Sequence, residues 1–249
     1  MSSSSSPTSA PVALITGASS GIGRAIAHAL AEDGFHLALN GRSPDKLSAL
    51  THALGARYPD ASLRALVADV SRADEAQRLV RETLEAFGRL DVLVNNAGVA
   101  CKIGLLQEVS AEDVHRLLDI NLKGAIFMMQ AALTHAMVAQ QSGVILNINS
   151  IAGKTAFPYW AVYDASKFGL RAVTEAVADE QRRNGIRVCG IYPGAVDTPI
   201  WDALELDHAP DPNGMLCADT IADAVRYILR QPASAHISEL TLAPLRPAL

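Results

Sequence analysis

The stretch VALITGASSGIG, residues 12–23, joins a short apolar run to a turn punctuated by Gly17, Gly21 and Gly23, and the helix-forming run RAIAHALAEDG follows it and ends at Gly34. Those glycines permit positive φ and let the backbone approach a ligand with no Cβ in the way. A helix starting here would offer unpaired N–H groups and the positive end of its dipole, which suit a pyrophosphate. The spacing is not G-x-G-x-x-G, and the absence of a Gly-Lys-Ser/Thr ending excludes the phosphate loop of the NTPases. The same residues would also make a tight strand-to-helix turn that binds nothing, so the rest of the chain has to decide.

Outward from this turn, HLALN (36–40) precedes Ser43-Pro44-Asp45, a capping residue followed by proline at the first helical position. LRALVAD (63–69), LDVLVNN (90–96), GVILNINS (143–150), RVCGIYP (187–193) and SELTLAP (238–244) read as further strands. Between them the chain predicts a helix ending at Phe87, a long one opening at the capping-box-like Ser110-Ala111-Glu112-Asp113, one through 162–183 and one near 219–230. Short continuous apolar runs are expected of a parallel sheet covered on both faces. Strict alternation implies right-handed crossovers, so the expected fold class is α/β, a doubly wound parallel sheet of about seven strands flanked by helices. Ligands of such sheets bind beyond the carboxyl ends of the strands. Function should therefore sit where VALIT, LVNN, INS and IYP end.

The chain has 249 residues, 49% of them hydrophobic and 19% charged, with a net charge of −5. That length suits one α/β domain, and no Pro/Gly/Ser-rich linker divides it. Residues 1–10 read as a disordered tail and 11–249 as a single domain. Scattered lysines and arginines form no basic stripe, so no nucleic-acid partner is expected. No uninterrupted apolar run approaches the roughly 20 residues of a membrane span, and MSSSSSPTSAP has no apolar h-region. Cys101, Cys189 and Cys217 form no CxxC, and His28, His52 and His208 have no metal-like spacing and read as surface residues. Neither a disulfide framework nor a metal site is indicated, and a reducing cytoplasm is the expected location.

With the glycine turn, NNAG at 95–98, Ser150, Tyr163 and Lys167 in YDASK, and PGAVDTP at 193–199 follow one another in an order and spacing that resemble the short-chain dehydrogenase/reductase family, from about Val12 to about Pro199. The resemblance implies a Rossmann-type sheet, a nicotinamide dinucleotide cofactor and interconversion of a carbonyl and an alcohol. It assigns Tyr163 as general acid in reduction and base in the reverse direction, with Lys167 as its charged partner. Ser150 would hydrogen-bond the substrate oxygen, and Asn121 would hold a water linking Lys167 to solvent. A free phenol titrates near 10. Work near neutrality needs a fall of about three units, which a unit charge about 4 Å away supplies at an effective dielectric of about 20. Lys167, one turn on along the same helix face, is expected to be that charge. Two residues depart from the family pattern. Asp164 stands where small residues are commoner and would disturb the site if its carboxylate reached Lys167; Asn149 replaces a frequent serine.

In dinucleotide folds an acidic residue after the second strand binds the ribose 2′-hydroxyl, while arginine there accommodates a 2′-phosphate. HLALN-Gly41-Arg42-Ser43 carries no carboxylate before Asp45, and arginine can grip phosphate through two charge-assisted bonds. The expected cofactor is NADP(H), with Arg42 and Ser43 on its phosphate. By the same resemblance Gly17, Ser19, Ser20, Gly21, Ile22 and Gly23 form the pyrophosphate turn. Asp69 and Val70 face the adenine, Asn96, Ala97 and Gly98 the ribose side, and Pro193, Gly194, Val196 and Thr198 the nicotinamide; Tyr163 and Lys167 touch the cofactor as well.

The family's substrate cleft would draw on Lys102 to Leu106, Phe157, Tyr159, Trp160, Trp201, Leu204 and Leu206, an apolar set that fits a small apolar carbonyl or alcohol substrate. Two other readings stay open. A reductase of 3-oxoacyl chains on acyl-carrier protein would end in a VDGG-like strand, where this chain ends SELTLAPLRPAL. A non-catalytic NADP(H)-sensing protein would be expected to have lost Tyr163 or Lys167. Family members self-associate through helices around 110–139 and 160–183, so a homodimer or homotetramer is expected.

Overall fold

Apolar runs in strict alternation with amphipathic helices build one sheet. In the computed structural model, residues 10–100, 104–204 and 211–245 are described. The strands are β1 (Val12–Ile15), β2 (His36–Gly41), β3 (Leu63–Val67), β4 (Val92–Asn95), β5 (Gly143–Ile148), β6 (Ile186–Pro193) and β7 (Glu239–Leu242), all parallel, in the order β3-β2-β1-β4-β5-β6-β7. This is the doubly wound sheet that the alternation implied. Order reverses at β1, whose Ile15 pairs with Leu39 of β2 on one side and Val94 of β4 on the other. A crevice opens beyond the carboxyl ends at such a reversal.

The helices lie on both faces: α1 (Gly21–Glu32), α2 (Pro44–Arg57) and α8 (Ala218–Leu229) on one, α3 (Ala73–Phe87) and α7 (Ala161–Gln181) on the other. Between α3 and α7 runs a stretch of α4 (Ala111–Leu118), a π-helical turn (Asp119–Lys123), α5 (Gly124–Ala132), a second π-helical turn (Leu133–Met137) and α6 (Val138–Gln140). Strand side chains alternate between faces. Ala13 and Ile15 of β1 accordingly pack with Ile26, Leu30, Leu54 and Val225, while Leu14 packs with Leu79, Val80, Met128 and Ile145. All four residues of β1 are buried, whereas the edge strand β7 alternates exposed and half-buried positions.

Local signals place the helix starts. The Ser43 hydroxyl accepts the Lys46 N–H of α2 behind Pro44, and the Ser110 hydroxyl accepts the Asp113 N–H of α4. Strand ends are shorter than the apolar runs suggest: β3 stops at Val67, because Asp69 turns back to accept the Ser71 N–H. The stretch Ala111–Gln140 does reach the length and mean hydropathy (1.2) of a membrane span, against the expectation from uninterrupted runs. Its apolarity is that of a core element, for Met128, Met129, Ala132 and Met137 bury against the sheet. The expected tail at 1–9, and Cys101, Lys102, Leu206 and His208, lie outside the described residues.

Candidate active site at the carboxyl edge of the sheet

The glycine turn folds tightly against the ends of β2 and β4. Gly17 and Gly21 take left-handed φ of 62° and 49°. Gly23 does not; it is required because a Cβ there would collide with the Gly17 carbonyl and lie 2.5 Å from Asn96 Nδ2. At the start of α1, Ser20 makes no side-chain cap, and the first turn holds no acidic residue. Helix N–H groups without a capping partner at a dipole's positive end suit an anion. Ser19 and Ser20 flank the turn, and Ile22 packs against the core beneath it. A Cβ on Gly41 would lie 3.3 Å from Ser19 Oγ, so the end of β2 borders the turn. Beyond it Arg42 is exposed, with no ion pair among the described residues. The Ser43 hydroxyl is partly engaged as the α2 cap.

Thr198 closes the other side. A Cβ on Gly21 would lie 3.1 Å from its methyl group, which brings the segment after β6 onto α1. Pro193 ends β6, the Gly194 N–H donates to Leu242 O at 2.7 Å, and Val196 is buried. Asp69 holds the turn after β3 through both the N–H and hydroxyl of Ser71, and Val70 packs on Gly124. Asn96 differs from its expected role: its amide donates to the carbonyls of Thr16 and Gly17, at 3.0 and 3.1 Å, and so supports the turn from below. Thr16 is a residue that sequence reasoning missed. Its Oγ1 accepts the N–H groups of both Asn96 and Ala97 at 3.0 Å, tying β1 to the loop after β4.

The proton-handling residues come from β5 and α7. Ser150 follows β5, and its hydroxyl accepts the Ala152 N–H at 3.1 Å and hydrogen-bonds Tyr163. Lys167 is buried, its Nζ 3.3 Å from Ile148 O and 5.6 Å from the centre of the Tyr163 ring. Gly98 faces the same space, since a Cβ there would lie 3.9 Å from that Nζ. Asn149, the departure from serine, links the two elements: its Nδ2 donates to Lys167 O at 3.1 Å and its Oδ1 accepts the Ser150 N–H at 2.9 Å. Below it a buried chain crosses the sheet, with Asn95 donating to Asn147, Asn147 to Thr174, and Thr174 to Leu170 O. Asn121 sits in the first π-helical turn, fully buried. Its side chain is spent on Val99 N–H and C=O and on Ser166, so the amide itself clamps the loop after β4 rather than reaching for a water.

The electrostatics correct one expectation. Burial of its hydroxyl end pushes Tyr163 up to about 12, with a smaller downward pull from the Ser150 bond and an upward push from Asp164. Burial also pulls Lys167 down to about 8. At 5.6 Å from the ring the ammonium does not overcome desolvation, and in the ligand-free protein Tyr163 is a phenol. Asp164 does not reach Lys167. Its buried carboxylate accepts the Phe157 N–H at 2.7 Å, and burial raises its pKa.

On the substrate side, Gly104 N–H donates to Tyr159 O at 3.2 Å, joining the segments after β4 and β5. Trp160 lies edge-on to Tyr163 and to Trp201, and the Trp201 indole N–H donates to Val196 O at 2.8 Å. Leu204 is buried, while Leu105, Leu106, Phe157 and Tyr159 are exposed. Away from this site, His28 is half-buried against Tyr58 rather than on the surface.

The profile of the short chain dehydrogenase family matches residues 11–209. An uncharacterized oxidoreductase of Staphylococcus saprophyticus is 35% identical over 239 residues, covering 94% of this chain and 97% of that protein. Among solved structures, an alcohol dehydrogenase of the archaeon Thermococcus sibiricus, complexed with 5-hydroxy-NADP, superposes with a TM-score of 0.86 at 35% identity, over 94% of this chain and 97% of that one. Levodione reductase superposes with a TM-score of 0.87 at 31% identity, over 93% and 95%.

Proposed function

Because the chain belongs to the short-chain dehydrogenase family, we propose that this oxidoreductase interconverts a ketone or aldehyde and an alcohol with NADP(H), using Tyr163 as the proton donor and acceptor. The observation that carries this reading is the Ser150–Tyr163 hydrogen bond beside buried Lys167, at the edge of the crevice that holds the uncapped start of α1. The two left-handed glycines, that helix start and exposed Arg42 fit a dinucleotide with a 2′-phosphate. Gly17 to Gly23 would hold the pyrophosphate, Arg42 with Ser43 the 2′-phosphate, Asp69 and Val70 the adenine side, Ala97 and Gly98 the ribose side, and Pro193 to Thr198 the nicotinamide end. When bound, the nicotinamide supplies or takes up the hydride.

The chain's own residues handle the oxygen. Ser150 Oγ and Tyr163 Oη together bind the carbonyl oxygen, which draws electron density from the carbon. As that carbon is reduced, Tyr163 gives its hydroxyl proton to the oxygen. Lys167, charged below about pH 8, then faces the phenolate left behind. Burial that holds Tyr163 in the phenol form supports carbonyl reduction as the direction of the ligand-free site. Self-association as a homodimer or homotetramer belongs to the same reading, supported by exposed Val138 and Phe168 on the helices concerned.

The test is oxidation of NADPH and NADH over a panel of ketones, aldehydes, 3-oxo acids and 3-oxoacyl thioesters. NADPH-linked turnover is expected, lowered about 10²–10⁴-fold in Tyr163→Phe, the usual worth of general acid catalysis. Turnover unaffected in Tyr163→Phe, or no turnover of any carbonyl by a protein that binds NADPH, would refute it.

A further inference from the structure

The chain has two tryptophans, and both stand at this site. Trp160 precedes the first turn of α7, on the segment after β5; Trp201 belongs to the short 3₁₀ turn Trp201–Ala203, on the segment after β6. Their ring centres are 6.5 Å apart at 80°, and Trp160 meets the Tyr163 ring at 5.4 Å and 63°. Edge-to-face rings at these separations are in van der Waals contact. The pair therefore forms a bridge between two loops, directly beside the proton donor.

Both rings are held from behind. The Trp201 N–H is spent on Val196 O, inside the segment after β6. Around Trp160, the Asp164 N–H donates to its carbonyl at 2.8 Å, its own N–H donates to Phe157 O at 3.2 Å, and the buried Asp164 carboxylate fixes Phe157. Tyr159, the preceding residue, is held at φ of 72°, a conformation that L side chains rarely adopt. Strain of this kind persists only where its surroundings impose it, and it collects at sites of function. This backbone sets where the indole goes.

We propose that Trp160 and Trp201 act as a size filter over Tyr163, admitting compact apolar carbonyl compounds and rejecting branched or chain-bearing ones. A substrate of greater girth can reach the Tyr163 hydroxyl past this wall only by parting two rings that are each tethered. Because the Trp201 N–H is turned to the backbone, that ring offers hydrocarbon to the cleft and no donor for a charged group. The inference rests on the function proposed above and narrows it, since it also excludes 3-oxoacyl thioesters.

Cyclohexanone and 2-adamantanone, with the N-acetylcysteamine thioester of 3-oxobutanoate as the chain-bearing probe, test it with NADPH. The ratio of kcat/KM for 2-adamantanone to that for cyclohexanone is expected to rise at least tenfold in Trp201→Ala, mainly through KM, and to stay within about threefold of the starting ratio in Trp201→Phe. An unchanged ratio in Trp201→Ala, with circular dichroism and NADPH affinity preserved, overturns the filter. Binding is read separately from turnover. Trp160→Phe and Trp201→Phe each leave one indole as reporter, and cyclohexanone should quench its fluorescence at concentrations where 2-adamantanone does not. Equal quenching by both, or by neither, overturns the filter even if no carbonyl is turned over. Selective quenching without turnover retains the filter and refutes the reaction.

Discussion

Helices α1 and α7 both begin at the carboxyl edge of the sheet, and neither has a side chain capping its first turn. They use that position in opposite ways. At α1 the working groups are backbone N–H, and the sequence clears side chains from them: Gly21 and Gly23 open the helix, and no carboxylate stands nearby. At α7 the working groups are side chains, and the fold withdraws them from water until Tyr163 rises to about 12 and Lys167 falls to about 8. Helix α2, capped by Ser43 with Asp45 in its first turn, shows what the same edge looks like when its own residues satisfy the helix start. An anion cradle is thus made by leaving things out, and a proton relay by burying what would rather be solvated.

Adding one carbon should break the α1 half alone. In Gly23→Ala the new Cβ collides with the Gly17 carbonyl, and neither backbone nor Asn96 can yield cheaply. Overpacking of this severity is expected to destabilise by about 3 kcal/mol and to displace the turn, lowering NADPH affinity about 100-fold or more by calorimetry. A variant that binds NADPH normally would mean that the turn does not hold the pyrophosphate.

A smaller change tests the border of the same cradle. Arg42→Ala should weaken NADPH by about 1.5–3 kcal/mol, as for a lost charged hydrogen bond, and leave NADH nearly untouched. Equal losses for both cofactors would remove Arg42 from the 2′-phosphate.

The α7 half should respond in the opposite sense. Lys167→Met is expected to abolish most turnover yet raise stability by about 1–2 kcal/mol near neutral pH, since a buried ammonium with a single carbonyl partner is replaced by an apolar chain of similar length. The folded-state pKa of about 8 lies below the usual 10.5. Between those values the unfolded chain binds more protons than the folded one, so wild-type stability rises with pH. The advantage of Lys167→Met should therefore be complete below about pH 8 and fade toward 10.5, as read by denaturant unfolding of the pair. An advantage that stays constant with pH would mean that Lys167 is not desolvated.

The alternation of apolar runs with helix signals was enough to foresee the sheet, because strands buried on both faces have no freedom to be polar. Tyr163 and Lys167 were legible through their spacing, which a helix turns into proximity. Their titration was misjudged because spacing carries no information about desolvation, and desolvation outweighs an ammonium 5.6 Å from the ring. Gly23 was singled out for the wrong reason, since its need is a neighbour's carbonyl and not its own φ. Asn96 and Asn121 illustrate a general limit: an amide named in a motif can be consumed by the backbone that positions the motif. Nothing in the sequence announced the π-helical turn at Asn121 or the left-handed Tyr159, both of which arise from tertiary packing.

The chain of bonds from Asn95 through Asn147 to Thr174 bears on how α7 finds its place during folding. A long helix on a flat apolar sheet could settle one step along or one face around at little cost, because Leu and Val tolerate many neighbours. Here each such mistake would strand amides and a hydroxyl in hydrocarbon without partners, a penalty of about 1–3 kcal/mol for every orphaned group. The network works as a checksum on assembly: it adds little to the correct structure but marks the incorrect ones, so that Tyr163 arrives beside Ser150 because every other arrival is taxed.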